Sequence, residues 1–340
     1  MSNAPQAATQ AGRTNGRRAP TALPPPRPDI LSAVHEALLS WYERVGRDLP
    51  WRRTRDPYAI LVSEIMLQQT QVERVIPKYH EFLAAFPTLA DLAVAPVAEV
   101  IRIWKGLGYN RRAVRLHAIA RQTVEQFGGA LPVTADALRA LDGLGAYTAN
   151  AVACFASDAH VAPVDTNVRR VLGRVFADEI GLDPPAGPPF QRFADAVLPD
   201  GRAYDWNQAL MDLGATVCTA RNPDHDACPL ALLCTGRARV ADAGASRRAA
   251  ESAATYRTAK PAVPFEQTTR YFRGRIVDAC RSLRPGETAS LDDLGRVLRA
   301  AYDPDDAEQR AWVAGLVAGL HRDGLLAVDD STGDVRVSLP

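Results

Sequence analysis

The chain has 340 residues, 47% of them apolar, with 40 basic and 39 acidic side chains and a formal net charge of +1. That length leaves room for two or three domains with real cores. Near-neutrality excludes nucleic-acid binding by bulk charge, so local patches must carry any such contact. No run of about eighteen apolar residues exists to span a membrane, and the N-terminus lacks an apolar signal core. Five cysteines, mostly clustered, are too few for a disulfide scaffold and point to a reducing, cytoplasmic setting.

Residues 1–28 are rich in Ala, Pro, Thr, Gln and Arg, with no acidic residue, and read as a disordered basic tail. Helical periodicity starts with Ile30, Val34, Leu38, Leu39, Trp41 and Val45 and covers 30–47. It resumes over 61–86, with a break expected near Pro77. Further helices are predicted at 89–95, 97–104, 111–127, 135–141, 146–156 and 166–176. A Pro/Gly loop over 183–189 precedes helices at 190–198 and 205–217. Residues 237–264 are rich in Ala, Arg and Ser and end in Pro264, a linker by composition. Beyond it, 269–276 leans towards strand, 291–301 and 306–322 towards helix, and 325–328 with 335–339 towards a hairpin. The reading is therefore a mainly α body over 29–236 and a small winged-helix-like α+β domain over 265–340. That last segment holds thirteen acidic residues against ten arginines, which argues against strong DNA binding of its own and leaves a protein-contact role open.

Chemistry concentrates in five places. Residues 141–150 read Leu-Asp-Gly-Leu-Gly-Ala-Tyr-Thr-Ala-Asn, a glycine turn between two helical stretches. A turn bare of side chains lets the N–H groups around Gly143 and Gly145 approach an anion at the positive end of the next helix, and phosphate is the obvious anion. Asp165 follows twenty residues after Gly145, behind a Pro-punctuated loop, where it can serve as a helix N-cap or act on whatever carries the phosphate. Glu64 stands inside an apolar helical run, Val62 to Leu67, where burial would raise its pKa and keep a proton available. Two arginine runs, Arg111, Arg112, Arg115, Arg121 and Arg169, Arg170, Arg174, are either solvated helix faces or phosphate contacts. Finally, Cys218-x6-His225-x2-Cys228-x5-Cys234 is a metal-ligand spacing. Three thiolates and an imidazole suit an iron–sulfur cluster or tetrahedral zinc.

Together the hairpin and Asp165 resemble the helix-hairpin-helix/Gly-Pro-Asp signature of base-excision DNA glycosylases. Within that superfamily the chain is similar to MutY-type adenine DNA glycosylases. The residues that carry the likeness are Leu49-Pro-Trp-Arg52, Ser63 to Val72, Gly106-Leu-Gly-Tyr109, Val164 to Val171 and Leu210 to Ala215. The resemblance implies a helix-hairpin-helix DNA glycosylase fold of two helical lobes, acting as a monomer on double-stranded DNA that carries a mispaired or damaged base, in the nucleoid. It implies that Glu64 protonates the leaving base, that Asp165 faces the sugar, and that Tyr147 and Asn167 hydrogen-bond near that carboxylate. It places Gln68 and Gln69 in the duplex beside the flipped base, and Gly143, Gly145, Thr148 and Arg169 on the DNA. The family's cluster is a [4Fe-4S] held by four cysteines; His225 replaces the second, so the resemblance implies Cys3His ligation, with zinc the alternative. Lyase members carry a lysine two residues after the second hairpin glycine, where this chain has Tyr147, so base removal without strand scission is expected. Two departures stand out. Asn110 replaces the second Tyr of the family's Gly-Leu-Gly-Tyr-Tyr, and the C-terminal segment is too short for the Nudix-like domain that reads 8-oxoguanine. A thymine/uracil mismatch glycosylase, or a non-catalytic DNA-binding or redox-sensing protein on the same scaffold, are the other readings.

Overall fold

The structure, a computed structural model, describes residues 22–184, 186–242, 264–331 and 333–340. Most of the expected basic tail (1–21) and most of the expected linker (243–263) lie outside the described residues. Residues 237–242, assigned to the linker from composition, are helical instead. Val240 there is buried, so its contacts hold the segment against the body.

Twelve named helices build the body: α1 (Pro28–Val45), α2 (Pro57–Leu67), α3 (Val72–Ala85), α4 (Leu89–Val94), α5 (Val97–Ile103), α6 (Arg111–Phe127), α7 (Ala135–Arg139), α8 (Ala146–Ser157), α9 (Thr166–Val175), α10 (Ala177–Ile180), α11 (Pro188–Ala196) and α12 (Ala203–Thr216). The mainly α, two-lobed expectation holds. Helices α2 to α8 form one lobe, with α8 against α2 and α7, and α6 against α4. The chain's start and later helices form the other, with α12 packed on α1 and α9. Helix α2 is apolar on every side, and every residue from Tyr58 to Met66 is buried. Such a helix has to be a core element, and it becomes the central rod of the first lobe.

The break expected at Pro77 is found at Gln68–Gln71 instead. Pro77 lies inside α3 on an exposed position, where the hydrogen bond it cannot donate to the Glu73 carbonyl is replaceable by solvent. Gln69 ends α2 because its backbone is left-handed, at φ 59°. A buried guanidinium holds that turn. Arg112 of α6, 5% exposed, donates to the carbonyls of Ile65 (3.0 Å), Met66 (2.7 Å) and Gln68 (2.6 Å) at the end of α2. Its other arm reaches Thr70 Oγ1 (3.0 Å), Leu107 O (3.0 Å) and Gly108 O (3.1 Å). One side chain thus ties the Gln68–Thr70 turn to the Gly106–Tyr109 loop. The two lobes are joined by a second buried cation. Arg52 donates to both oxygens of Asp212 on α12 (2.8 and 2.7 Å), and Arg47 adds its backbone N–H (2.9 Å) and Nε (2.7 Å). Burial alone would raise the Asp212 pKa; the bonds and charge of Arg52, with Arg47, hold it below the ordinary carboxylate range.

The C-terminal unit has α13 (Thr269–Arg281), β1 (Ala289–Ser290), α14 (Leu291–Leu298), α15 (Ala307–Arg322), β2 (Ala327–Asp329) and β3 (Arg336–Ser338). The sheet is antiparallel in the order β1-β3-β2, with Val337 opposite Ala289 on one side and Val328 on the other. The expected helices and hairpin are present, in a winged-helix-like arrangement. The strand expected over 269–276 is helix. Thr268 caps it by accepting from the Tyr271 N–H, and Ile276, Val277 and Cys280 form a buried helical stripe. Local β-leaning residues yield there to packing. This unit has its own core, completed by Ile101 of α5, which is wholly buried in it. Arg281 donates to Ile101 O (3.0 Å) and Asn110 Oδ1 (2.9 Å), and Arg102 donates to Leu283 O (3.2 Å).

Removing the Arg112 clamp strands several buried carbonyls at once. Arg112→Ala is expected to cost about 3 kcal/mol or more in denaturant unfolding, and Arg112→Lys to recover little of it, because an ammonium cannot span both loops.

Candidate active site

Three elements bring the predicted chemistry together. Helix α2 carries Glu64, α8 carries Tyr147, and Asp165 is the N-cap of α9. Glu64 is 6% exposed. Burial pushes its pKa up to about 7; the Tyr147 hydroxyl bonded to it lowers the value, and the nearby Asp165 charge raises it. A carboxyl in this range holds its proton at neutral pH and can still release it, the property a general acid needs. Tyr147 is likewise driven well above the ordinary phenol value, first by burial and then by the two carboxylates. It stays neutral and available as a hydrogen-bond partner.

Asp165 serves the structure and faces the site at once. Its Oδ1 accepts the Val168 N–H (2.7 Å), closing the first turn of α9. Its Oδ2 accepts from Asn167 Nδ2 (2.9 Å). Asn167 Oδ1 in turn accepts from Arg170 (2.8 Å), whose guanidinium also reaches Gly214 O (2.8 Å) and Cys218 O (3.0 Å). Upstream, the loop entering Asp165 is pinned at Ala162: its carbonyl accepts from Asn150 (3.0 Å) and Gln191 (2.9 Å), and its N–H donates to Asp195 (2.8 Å). The carboxylate therefore has little freedom to turn away.

The hairpin sits between α7 and α8. Gly143 has φ +94°, and a Cβ there would stand 2.8 Å from Arg115 Cγ. Glycine is required by both conformation and space. Gly145, the uncapped N-cap of α8, is different: nothing lies within 4 Å of an added Cβ. The fold tolerates a side chain there, so the bare backbone is free to meet a ligand. Gln69 is exposed and Gln68 half-buried, the Gln68 amide donating to Thr148 Oγ1 (3.5 Å). Thr148 is itself buried, so it supports Gln68 rather than presenting its hydroxyl outward. Arg169 pairs with Asp183 (3.4 Å).

The metal-ligand spacing closes on one small pocket. Cys218, His225, Cys228 and Cys234 all line it, with Leu230 and Val171 as apolar neighbours. Among the described residues no three His, Cys, Asp or Glu side chains converge as a single ion requires; the four donors instead ring the pocket. Arg174, 8% exposed, organises its wall: it donates to Thr219 O (2.7 Å), Ala220 O (3.0 Å) and Cys218 Sγ (3.3 Å). A buried guanidinium beside thiolates offsets the negative charge of an anionic cluster. The donor set and its enclosure fit an iron–sulfur cluster.

Sequence reasoning missed the residues that position these groups. Asn150, Asp195 and Gln191 carry no motif. Arg112 was readable only as one of an arginine run; the usable signal was its register with Leu116, Ile119, Ala120 and Thr123, the buried stripe of α6. Of the same run, Arg121 pairs with Glu125 and Arg111 with Asp323, while Arg115 stays exposed beside the hairpin. Cys154 and Cys280 are core residues, as their apolar surroundings suggested.

Glu64 provides a direct spectroscopic test. A carboxylic-acid C=O band that disappears as the pH rises through about 7, and that is missing in Glu64→Gln, is the expected infrared result. A Glu64 band already ionised at pH 5 would refute the burial argument.

Comparison with known proteins accords with this geometry. Residues 62–180 match the HhH-GPD superfamily base excision DNA repair protein family, and 218–234 match the iron-sulfur binding domain of endonuclease III. The chain is 44% identical over 258 residues to an adenine DNA glycosylase of Mycolicibacterium smegmatis, covering 75% of this chain and 83% of that one. It is 38% identical over 321 residues to the adenine DNA glycosylase of Mycobacterium tuberculosis, covering 93% and 97%. A Homo sapiens adenine DNA glycosylase is 46% identical over 62% of this chain, which spans 40% of that longer protein. Among solved structures, a thermostable thymine-DNA glycosylase superposes with a TM-score of 0.58 at 31% identity, over 62% of this chain and 98% of that one. A trapped endonuclease III–DNA intermediate, at 20% identity and a TM-score of 0.52, shares the fold. With near-full-length relatives of one kind, the helix-hairpin-helix body and the iron–sulfur motif in register, this chain belongs to the adenine DNA glycosylase family.

Proposed function

We propose that the protein is a monofunctional DNA glycosylase that hydrolyses the N-glycosidic bond of a flipped-out adenine opposite 8-oxoguanine or guanine. It acts as a monomer on nucleoid DNA in the cytoplasm. The observation that carries this reading is the buried Glu64 carboxyl, held near pKa 7 beside Tyr147 and facing Asp165 across the two lobes. Two carboxyl groups in unlike surroundings divide the work of such a hydrolysis. Glu64 gives its proton to the ring nitrogen of the departing adenine as the C1′–N9 bond breaks and the bonding pair leaves with the base. The cationic sugar that remains is stabilised by the Asp165 carboxylate, whose two bonds fix its direction. Water then forms the C1′–O bond and loses a proton to a carboxylate of the site, leaving an abasic sugar. Tyr147 orients Glu64, and Asn167 orients Asp165. The backbone at Gly143 and Gly145 takes a phosphate, and Gln68 and Gln69 occupy the gap in the duplex.

Cys218, His225, Cys228 and Cys234 would hold the [4Fe-4S] cluster, with imidazole as the fourth ligand. Such a cluster would cross-link the loop after α12 and supply a redox-active centre. Arg170 and Arg174 fasten that loop to α9, the helix Asp165 begins.

Single-turnover release on duplexes carrying A opposite 8-oxoguanine, A opposite G, T opposite G and U opposite G tests the substrate. Adenine should be freed, and strands should break only after alkali; release of T or U alone would overturn the reading. Asp165→Asn should lower release by at least about 10³-fold with duplex affinity kept, and Glu64→Gln by about 10²–10⁴-fold. Because the protonated Glu64 is the active form, the rate should be highest on the acid side and fall about tenfold per pH unit once the pH exceeds about 7. For the cluster, His225→Cys should keep iron and sulfide content and shift the midpoint potential; an unmoved potential and spectrum would put His225 outside the ligand set.

A further inference from the structure

A large cleft, about 880 Å³, lies between the body and the C-terminal unit. One wall is the pair of turns that Arg112 joins, Gln68–Gln69 and Gly106–Tyr109; the other is helix α13. Its lining holds eight arginines and a single carboxylate, Asp278. Some of these arginines are committed: Arg112 to carbonyls, Arg273 to Asp323, and Arg281 to Asp278 and Asn110. Arg74, Arg115, Arg270 and Arg275 are exposed and form no ion pair among the described residues. A positive cleft this poor in acid is costly for a folded protein to maintain without an anion to fill it.

The two walls meet at Tyr109, beside the Arg281–Asn110 bond. Tyr109, 39% exposed and left-handed at φ 45°, is covered by Arg270 of α13, whose guanidinium stands 4.0 Å over the ring and donates to the phenol oxygen at 2.8 Å. Stacking fixes the plane of the guanidinium but neutralises none of its charge. Arg275, five residues further along α13, donates to Tyr271 Oη and Val297 O and is likewise held without a carboxylate. Preset arginines along a helix beside the turn that carries Gln68 and Gln69 are suited to a regularly spaced polyanion.

We propose that α13 is the second phosphate-binding wall of the DNA cleft, and that Arg270 and Arg275 contact the backbone of the same duplex that Gln68 and Gln69 enter. The rest of the C-terminal unit lacks this character: α15 begins among Asp303, Asp305, Asp306 and Glu308. The inference rests on the glycosylase reading for the identity of the polyanion.

The test is the affinity of the full-length holoprotein for a short A·G duplex, measured by anisotropy across a salt series. Each lost phosphate contact removes about 0.9 from the slope of log K against log salt. The R270Q/R275Q pair should lower the slope by about 2 and weaken binding at least about fivefold at physiological salt. R296Q/R310Q, which removes equal charge from the same unit outside the cleft, should change neither. An unaltered slope in the first pair, or equal losses in both, would overturn the proposal. Arginine-selective modification of the unmutated protein is independent of any folding defect: duplex should protect Arg270 and Arg275, and full reactivity of both in the complex would also overturn it. Wild-type protein that bound duplex with the expected slope yet freed no base would refute the glycosylase reading and leave this inference intact.

Discussion

The Arg112 guanidinium is the contact from which the site and its approaches are arranged. It is an ion in a nearly water-free place, and burial lowers its pKa to about 10. Only a dense set of carbonyl acceptors makes such burial tolerable. Those acceptors are the exposed ends of two chain turns that have no sequence contact with each other. Satisfying the cation therefore stops α2 at Gln68, forces the left-handed backbone at Gln69, and fixes the neighbouring loop at Gly108. The ring of Trp104 and that of Tyr109 close over the same group. The position of Glu64, one turn before that stop, follows from it.

The two carboxyl groups owe their difference to where each is attached. Glu64 projects from the middle of a helix that is apolar all round, so its desolvation is only partly offset by the Tyr147 hydroxyl and the more distant Arg52 charge. Asp165 lies at a helix start, where an N–H and an amide already point at it. The same side chain that caps α9 is the one proposed above to face the sugar. Capping and the proposed role are compatible because a carboxylate has lone pairs left after accepting two bonds. The lobes bearing the two groups are kept in register by the buried Arg52–Asp212 pair, whose loss would leave a charge stranded in the seam.

Charge in the C-terminal unit shows why counting is a poor guide to binding. The thirteen acidic side chains outnumber the ten arginines, which spoke against DNA contact. In the fold the signs separate. The cleft-facing lining of α13 is dominated by arginine with Asp278 alone against it, and much of the acid lies at helix starts, in the capping roles of Asp293 and Asp306. Net composition averages over faces that a ligand meets one at a time.

Much of the molecule was legible in its order of residues. Apolar spacing of 3.6 placed most helices of the body, because one buried stripe per helix leaves a periodic record. The glycine turn, Asp165, Glu64 and the cysteine spacing were readable because each is a short-range pattern with a chemical reason. The sequence by itself determined the fold class and the iron–sulfur motif, and it singled out the two carboxylates as candidates. It did not place the end of α2, since Pro77 is the stronger local breaker and Arg112, forty-four residues on from Gln68, is what decides the matter. Nor did it show that residues 269–276 are helical, a choice made by the core they pack into. The raised pKa of Glu64, the aim of Asp165 and the arginine cleft are properties of distances between remote segments. Only tertiary structure sets those distances, because desolvation and charge coupling depend on what is near in space, whatever its place in the chain.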